Sequence, residues 1–291
     1  MPTTLRVERD GPRADVVLAR PKVRNAFDET VIRELREAFD GLGADGLVRV
    51  VVLRGEGKVF CAGADLDWMG RMAAASREEN LRDAEAMAGM FRAVAECPKY
   101  VIARVHGAAL GGGAGLCAAA DSAIAAADAA FGFTETKLGI VPAVISGVVL
   151  RRIGQGHARA LFPTGERFDA THALRIGLVA KVVPADALDD AVSRRVAEVL
   201  TAGPAAVAAA KRLLREREAW ASLPPEEGDR RAAAFIARAA WSAVMSPSAS
   251  ESVARTTSAT PPPRTRAARA SIPTSSGPTP SRGATRPSRT W

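Results

Sequence analysis

The sequence has three cysteines, three histidines, a single tyrosine and few aromatic residues of any kind. Cys61, Cys97 and Cys117 form an odd set with no C-x-x-C pair. That argues against a disulfide framework and points to a reducing, cytoplasmic compartment. His106, His157 and His172 lack metal-ligand spacing, so no metal centre is expected and each reads as structural or exposed. Long apolar runs are missing too. The blandest stretch, Ala118 to Phe131, is alanine-rich and interrupted by Asp121 and Asp128, which excludes a membrane span. The opening residues, Met1 to Arg6, have no apolar h-region, so no secretory signal is expected. Ser146-Gly147 lacks the outer glycines of a G-x-S-x-G nucleophile turn.

What is present suits a soluble enzyme-sized chain. It has 291 residues, 47% of them hydrophobic and 25% charged, enough to bury a substantial core. An isoelectric point near 10.1 invites a nucleic-acid reading. The charge is localised, however: from Ser246 to Trp291, seven arginines (255, 264, 266, 269, 282, 286, 289) face one acid, Glu251. The remainder is close to neutral, and nucleic acid is not the expected partner. The tail is rich in Ser, Thr, Pro and Arg with no periodic apolar face, a composition expected to stay disordered. It reads either as a passenger, of the kind a frameshift near Met245 in a GC-rich gene would produce, or as a basic arm for an anionic surface.

Along the chain, Leu5–Glu8 and Ala14–Ala19 flank Asp10-Gly11-Pro12 and predict a hairpin. Asp28 is placed to cap a helix with Val31, Leu35, Ala38 and Phe39 on one face. Val48–Leu53, Tyr100–Val105 and Ser122–Ala126 read as buried strands, and Arg77 to Glu96 as a helix. From Leu150 the pattern is helical, with a brief strand at Leu178–Val183. Strand, loop and helix recur about every fifty residues, which predicts stacked ββα turns in an α/β fold instead of a single open sheet.

Two glycine-containing loops follow buried strands. Val59-Phe60-Cys61-Ala62-Gly63-Ala64-Asp65-Leu66 and His106-Gly107-Ala108-Ala109-Leu110-Gly111-Gly112-Gly113 each allow main-chain N–H groups to approach a ligand closely. The second opens a helix, whose free N–H groups and partial positive charge suit a developing anion. Gly113-x-Gly115-x-x-Ala118 also fits a dinucleotide fingerprint, but it lies mid-chain and leaves the first loop unexplained.

Together these segments resemble the enoyl-CoA hydratase/isomerase (crotonase) superfamily, from about Leu5 to Trp220. Arg20-Pro21-Lys22-x-x-Asn25-Ala26 resembles its first CoA-contacting segment, and Phe60 to Leu66 its adenine-pocket and first oxyanion segment. Gly107 to Gly113 resembles its second oxyanion segment, and Phe131 to Gly139 the segment with a catalytic glutamate. Ala170-Leu174-Gly177-Leu178-Val179 with Val182-Val183-Pro184 resembles its later helix–strand signature. Within the superfamily, Asp67 to Ala73 and Pro142 to Ser146 are most like bacterial methylglutaconyl-CoA hydratases of leucine degradation.

The resemblance implies a crotonase-like stacked ββα superhelix over residues 1–195, a helical trimerisation region over 196–245, and the basic tail over 246–291. It implies a hydro-lyase acting on an unsaturated acyl-CoA. The N–H groups of Ala64 and Gly112 would be oxyanion donors and Glu135 the acid/base. Lys22, Arg24, Ala26, Ala62, Asp65 and Leu66 would bind CoA, and Arg71 is the candidate cation for a distal carboxylate. CoA would enter as part of the substrate, with no further cofactor, and the assembly would be a homotrimer or a dimer of trimers. An isomerase, or a non-catalytic CoA- or RNA-binding relative, is the alternative. One departure stands out. The first of the two glutamates common in these hydratases falls at Gly115, and a glutamate there is expected to leave the fold intact.

Overall fold

A computed structural model describes residues 3–220 and 223–244. The expectation of a disordered tail over 246–291 lies outside the described residues. Strands β1 (Leu5–Asp10) and β2 (Arg13–Leu18) form the hairpin, longer than expected because only Gly11 and Pro12 are left for the turn. Helix α1 (Glu29–Ala44) starts at Asp28, whose Oδ1 accepts the N–H of Thr30 and of Val31, both at 3.0 Å. It buries Val31, Leu35 and Phe39, with Ala38 half-buried beside them. Strand β3 runs Val50–Gly55, two residues later than expected. The cause is local: Pro12 O takes the N–H of both Arg49 and Val50, so the parallel ladder with β2 begins at Val50.

Helices α2 (Leu66–Ala74) and α3 (Arg77–Glu96) follow, the latter opened by a Ser76/Glu79 capping box. Strand β4 (Tyr100–Val105) turns at Gly107 into β5 (Ala108–Leu110), then α4 (Gly112–Ala119). Gly107 has φ +63, and a Cβ there would overlap Lys58 O, so only glycine makes this corner. Strand β6 (Ser122–Ala126), β7 (Ala130–Gly132), a 3-10 turn at Thr134–Leu138 and α5 (Ala143–Leu161) repeat the same strand–strand–helix order. These two repeats are the stacked ββα turns anticipated from the spacing.

The remainder comprises β8 (Arg167–Asp169), α6 (Ala170–Arg175), β9 (Lys181–Val183), α7 (Leu188–Leu200), α8 (Pro204–Trp220) and α9 (Pro225–Val244). Strand β9 is half the expected length. The N–H groups of Leu178 and Val179 both close on Ala173 O, and only from Ala180, which donates to Ala123 O, does the chain join the sheet. The main sheet has the order β1-β2-β3-β4-β6-β9 and is parallel from β2 onward; β5-β7-β8 form a second, smaller sheet. Val50 to Leu53 and Val101 to Ala103 are fully buried, as a parallel sheet covered on both faces requires. The turns between the two sheets bring both glycine loops to one edge of this core. Among the described residues, no helix is long and apolar enough to cross a membrane.

Candidate active site

A cavity of about 850 Å³ opens between the two glycine loops and helices α2, α3 and α5. Lys22, Arg24, Ala26, Ala62, Ala64, Asp65, Leu66, Gly112 and Glu135 all line it. These nine sequence-selected residues come from segments more than a hundred positions apart.

Ala64 lies in an isolated parallel bridge with Phe27. Phe27 donates its N–H to Gly63 O at 2.9 Å and accepts from the N–H of Asp65 at 3.0 Å. In a parallel bridge the flanking groups carry the bonds, so the N–H of Ala64 is left over. Gly112 is the first residue of α4, where N–H groups have no partner within the helix. Among the described residues, neither N–H finds an acceptor. The two loops abut: a Cβ on Gly63, at φ +94, would lie 3.4 Å from the Gly112 nitrogen and 2.8 Å from Leu110 O. A substituent on Gly113 would overlap Cys61 O. Small residues are thus demanded by close approach of main chain to main chain.

Glu135 sits in the 3-10 turn, which is pinned where Thr136 Oγ1 donates to Phe162 O at 3.0 Å and closed by Gly139 in the left-handed region. Its carboxylate faces Gly111, where an added Cβ would be 3.2 Å from Oε1. Oε2 is buried without a hydrogen-bond partner among the described residues. Burial pushes the Glu135 carboxyl above the ordinary carboxylate range, only partly offset by a main-chain hydrogen bond within the residue. The plain alternative, a surface pair with Lys137 or Arg151, does not form: Arg151 pairs with Glu218 at 3.3 Å. A half-buried, unpaired carboxylate that shares a cavity with two free N–H groups can move a proton near a developing anion.

Lys22 and Arg24 are exposed at the cavity rim, and neither makes an ion pair among the described residues. Asn25 is structural. Wholly buried at φ 55, it accepts the N–H of Arg20 and donates to the carbonyls of Glu56, Val59 and Phe60, stitching two loops together. The Asp65 side chain is committed as well: Oδ1 caps α2 and Oδ2 takes Arg20 at 3.1 Å. Its N–H is taken by Phe27 O and its carbonyl accepts from Met69 at 2.9 Å, so what it can offer a ligand is that oxygen's second lone pair.

Arg71 departs from expectation. It is outside the cavity, its guanidinium held by both carboxylate oxygens of Glu29 at 3.0 Å on the exposed face of α2. On a helix, the residue three positions after Trp68 would share its face only roughly, and Trp68 is the one turned inward. The cavity cation that sequence reasoning missed is Arg167, on β8 beside Thr134.

The expectation at Gly115 is also corrected. A Cβ there would lie 2.7 Å from Ile145 Cγ2 and 2.9 Å from Phe91 Cε1, so a glutamate does not fit without moving α5 or the Phe91 ring. His106 is a structural tie: Nε2 donates to Gly57 O at 2.9 Å and Nδ1 accepts from Arg104 at 3.2 Å. Burial and the nearby Arg104 hold its pKa below the usual value, only partly offset by the bond to Gly57 O.

A family model described as enoyl-CoA hydratase/isomerase matches residues 13–227. A carnitinyl-CoA dehydratase of Citrobacter koseri is 38% identical over 237 residues, covering 79% of this chain and 86% of that protein. Among solved structures, an enoyl-CoA hydratase from Shewanella pealeana superposes with a TM-score of 0.80 at 34% identity, covering 88% of this chain and 94% of that one. Pseudomonas aeruginosa AtuE does so with a TM-score of 0.80 at 37% identity, over 88% and 97% of the two chains.

Proposed function

Since the chain belongs to the enoyl-CoA hydratase/isomerase family, we propose that it adds water across an α,β-unsaturated acyl-CoA, with Glu135 as the single acid/base. The observation that carries this reading is the orphaned, buried Oε2 of Glu135 beside Gly111, in the cavity that the unpaired N–H groups of Ala64 and Gly112 also line. Glu135 takes a proton from water as its oxygen bonds to the β-carbon. Charge moves to the thioester oxygen, where the two N–H groups meet it. The carboxylic acid then returns the proton to the α-carbon, so the elements of water are added and Glu135 is regenerated. Losing one such N–H typically costs about 3–4 kcal/mol of barrier.

Lys22 and Arg24 at the rim fit the CoA phosphates, and the main chain of Ala62, Asp65 and Leu66 fits the adenine. The narrower substrate, 3-methylglutaconyl-CoA of leucine degradation, is supported by Asp67 to Ala73 and Pro142 to Ser146, segments that contribute Trp68, Met69, Met72 and Ile145 to the cavity. With Arg71 held by Glu29, Arg167 is the candidate for its distal carboxylate. The assembly is read as a homotrimer or a dimer of trimers. The exposed Leu214 on α8 supports a contact there, and a monomer by light scattering at micromolar concentration overturns it.

The test is turnover of an enoyl-CoA panel by the wild type and by Glu135→Gln. Hydration lost in the variant, with CoA-ester binding retained, is the expected result. Double-bond migration without hydration would make the protein an isomerase. Absence of turnover above the variant on every substrate would leave a CoA- or RNA-binding relative.

A further inference from the structure

One side chain and one main-chain segment connect the two N–H groups. We propose that Arg20 and Phe27 form a positioning device that sets the separation of the Ala64 and Gly112 N–H groups. The inference rests on the reading of those groups as anion donors.

Phe27 touches both halves. Its main chain brackets Ala64, with bonds to Gly63 O and from Asp65 N. Its ring is wholly buried, packs edge-on to Phe91 at 6.3 Å, and lies against Gly112, where an added Cβ would overlap Cζ and sit 2.7 Å from Cε2. One residue thus carries the first donor on its backbone and supports the second with its ring. A shift of Phe27 along its own axis would change the gap between the donors.

Arg20 fixes that axis. Nη1 donates to Ala26 O at 2.6 Å, on one side of Phe27. Nη2 reaches Asp28 Oδ2 at 3.0 Å on the other side, and Asp65 Oδ2 at 3.1 Å next to Ala64. Both carboxylates divide their work in the same way: Oδ1 caps a helix, α1 for Asp28 and α2 for Asp65, while Oδ2 takes the guanidinium. A planar fork satisfies a carbonyl and two carboxylates in fixed directions, whereas an ammonium is a point charge on a flexible stem. Arg20 does not line the cavity, so whatever it contributes to chemistry passes through Phe27 and Ala64.

The measurement is the carbonyl stretching frequency of bound butanoyl-CoA, isotopically labelled at the thioester carbonyl, by infrared difference spectroscopy. A saturated ester cannot be hydrated, and its frequency falls as the two N–H groups polarise the bond. The wild type is expected to lower the frequency. Arg20→Lys, Arg20→Gln and Phe27→Leu are expected to lose part of that shift. For the preferred enoyl-CoA, kcat should fall by about 10–100-fold, with KM changed less than about threefold. If Arg20→Gln fails to fold, Asp28→Asn weakens the same contact while Oδ1 keeps its cap, and the same loss is expected. Variants that melt earlier yet keep the full carbonyl shift and kcat would reduce Arg20 to a structural tie and overturn the inference alone. A wild type that leaves the carbonyl frequency unchanged would overturn the anion-hole reading and the inference with it.

Discussion

Lys211 of α8 reaches into the core and binds Asp121, at the start of β6, with Nζ 2.5 Å from Oδ2. Lys211 is only 8% exposed, and its Nζ also donates to Lys99 O at 2.7 Å. Asp121 accepts the N–H of Val101 at 2.7 Å as well, so the pair fastens α8 to both β4 and β6. Removing one partner leaves the other charge buried. Lys211→Met is expected to destabilise the fold by about 3 kcal/mol, more than any exposed arginine substitution on α8. Chemical denaturation of the variant beside Arg212→Ala checks this.

Glu135 should trade activity against stability. Its carboxyl is raised by burial, so the folded state holds the proton more tightly than the unfolded chain. The stability this supplies is complete below the ordinary carboxylate pKa and is lost as pH rises through the raised value. At neutral pH, Glu135→Gln is therefore expected to melt higher than the wild type while losing hydration. As a base, Glu135 must be ionised, so kcat/KM should fall on the acid side with a midpoint above the ordinary carboxylate range. Thermal melts across pH and a pH–rate profile read the two effects separately.

Gly115 has no room. Gly115→Ala is expected to destabilise by about 1–3 kcal/mol through overpacking against Ile145 and Phe91, and Gly115→Glu by more. Pairing Gly115→Ala with Ile145→Ala, which removes the obstructing Cγ2, should cost less than the sum of the two single substitutions. A neutral Gly115→Ala in denaturant titration would show that the helix yields freely.

The three thiols should be silent in the native protein. All are buried, and burial pushes Cys61 up to about 12 and also raises Cys97 and Cys117. Alkylation at neutral pH is expected only as fast as the chain opens. A thiol that reacts rapidly in the folded state, mapped by mass spectrometry, would contradict the packing.

Legibility in the sequence followed burial. Tyr100–Val105 and Ser122–Ala126 are enclosed strands of the main sheet, and their apolar runs marked them to the residue. Arg77–Glu96 was legible from its helical pattern, and the Ser76/Glu79 capping box starts it there. The second sheet was not legible. Its strands have three residues each, and Ala108–Leu110 finds its partner Ala130–Gly132 only once the corner at Gly107 has formed. The start of α5 at Ala143, seven residues before the expected Leu150, was hidden too, because Pro142 precedes its first turn and Gly147 weakens the helical pattern. At the site, the glycine loops and Glu135 were visible because close approach demands glycine and the segments resemble a known family. Arg71 against Arg167 was not decidable, since which arginine turns inward depends on Glu29 capturing one of them. Arg20 was visible only as the first residue of the CoA-contacting segment, because its carboxylate partners lie 8 and 45 positions away.

Both proposed anion donors are main-chain N–H groups, so no codon change short of proline can delete either one. A mutational scan for hydration would therefore give an inverted map. Its most sensitive positions would include residues with no reactive group at all, such as Gly63, Gly113 and Phe27, because only their shape holds the amides in place. Many charged positions, Arg71 among them, would tolerate replacement. Ranking candidate residues by the reactivity of their side chains would overlook most of this site, and ranking them by the space around each Cα would find it.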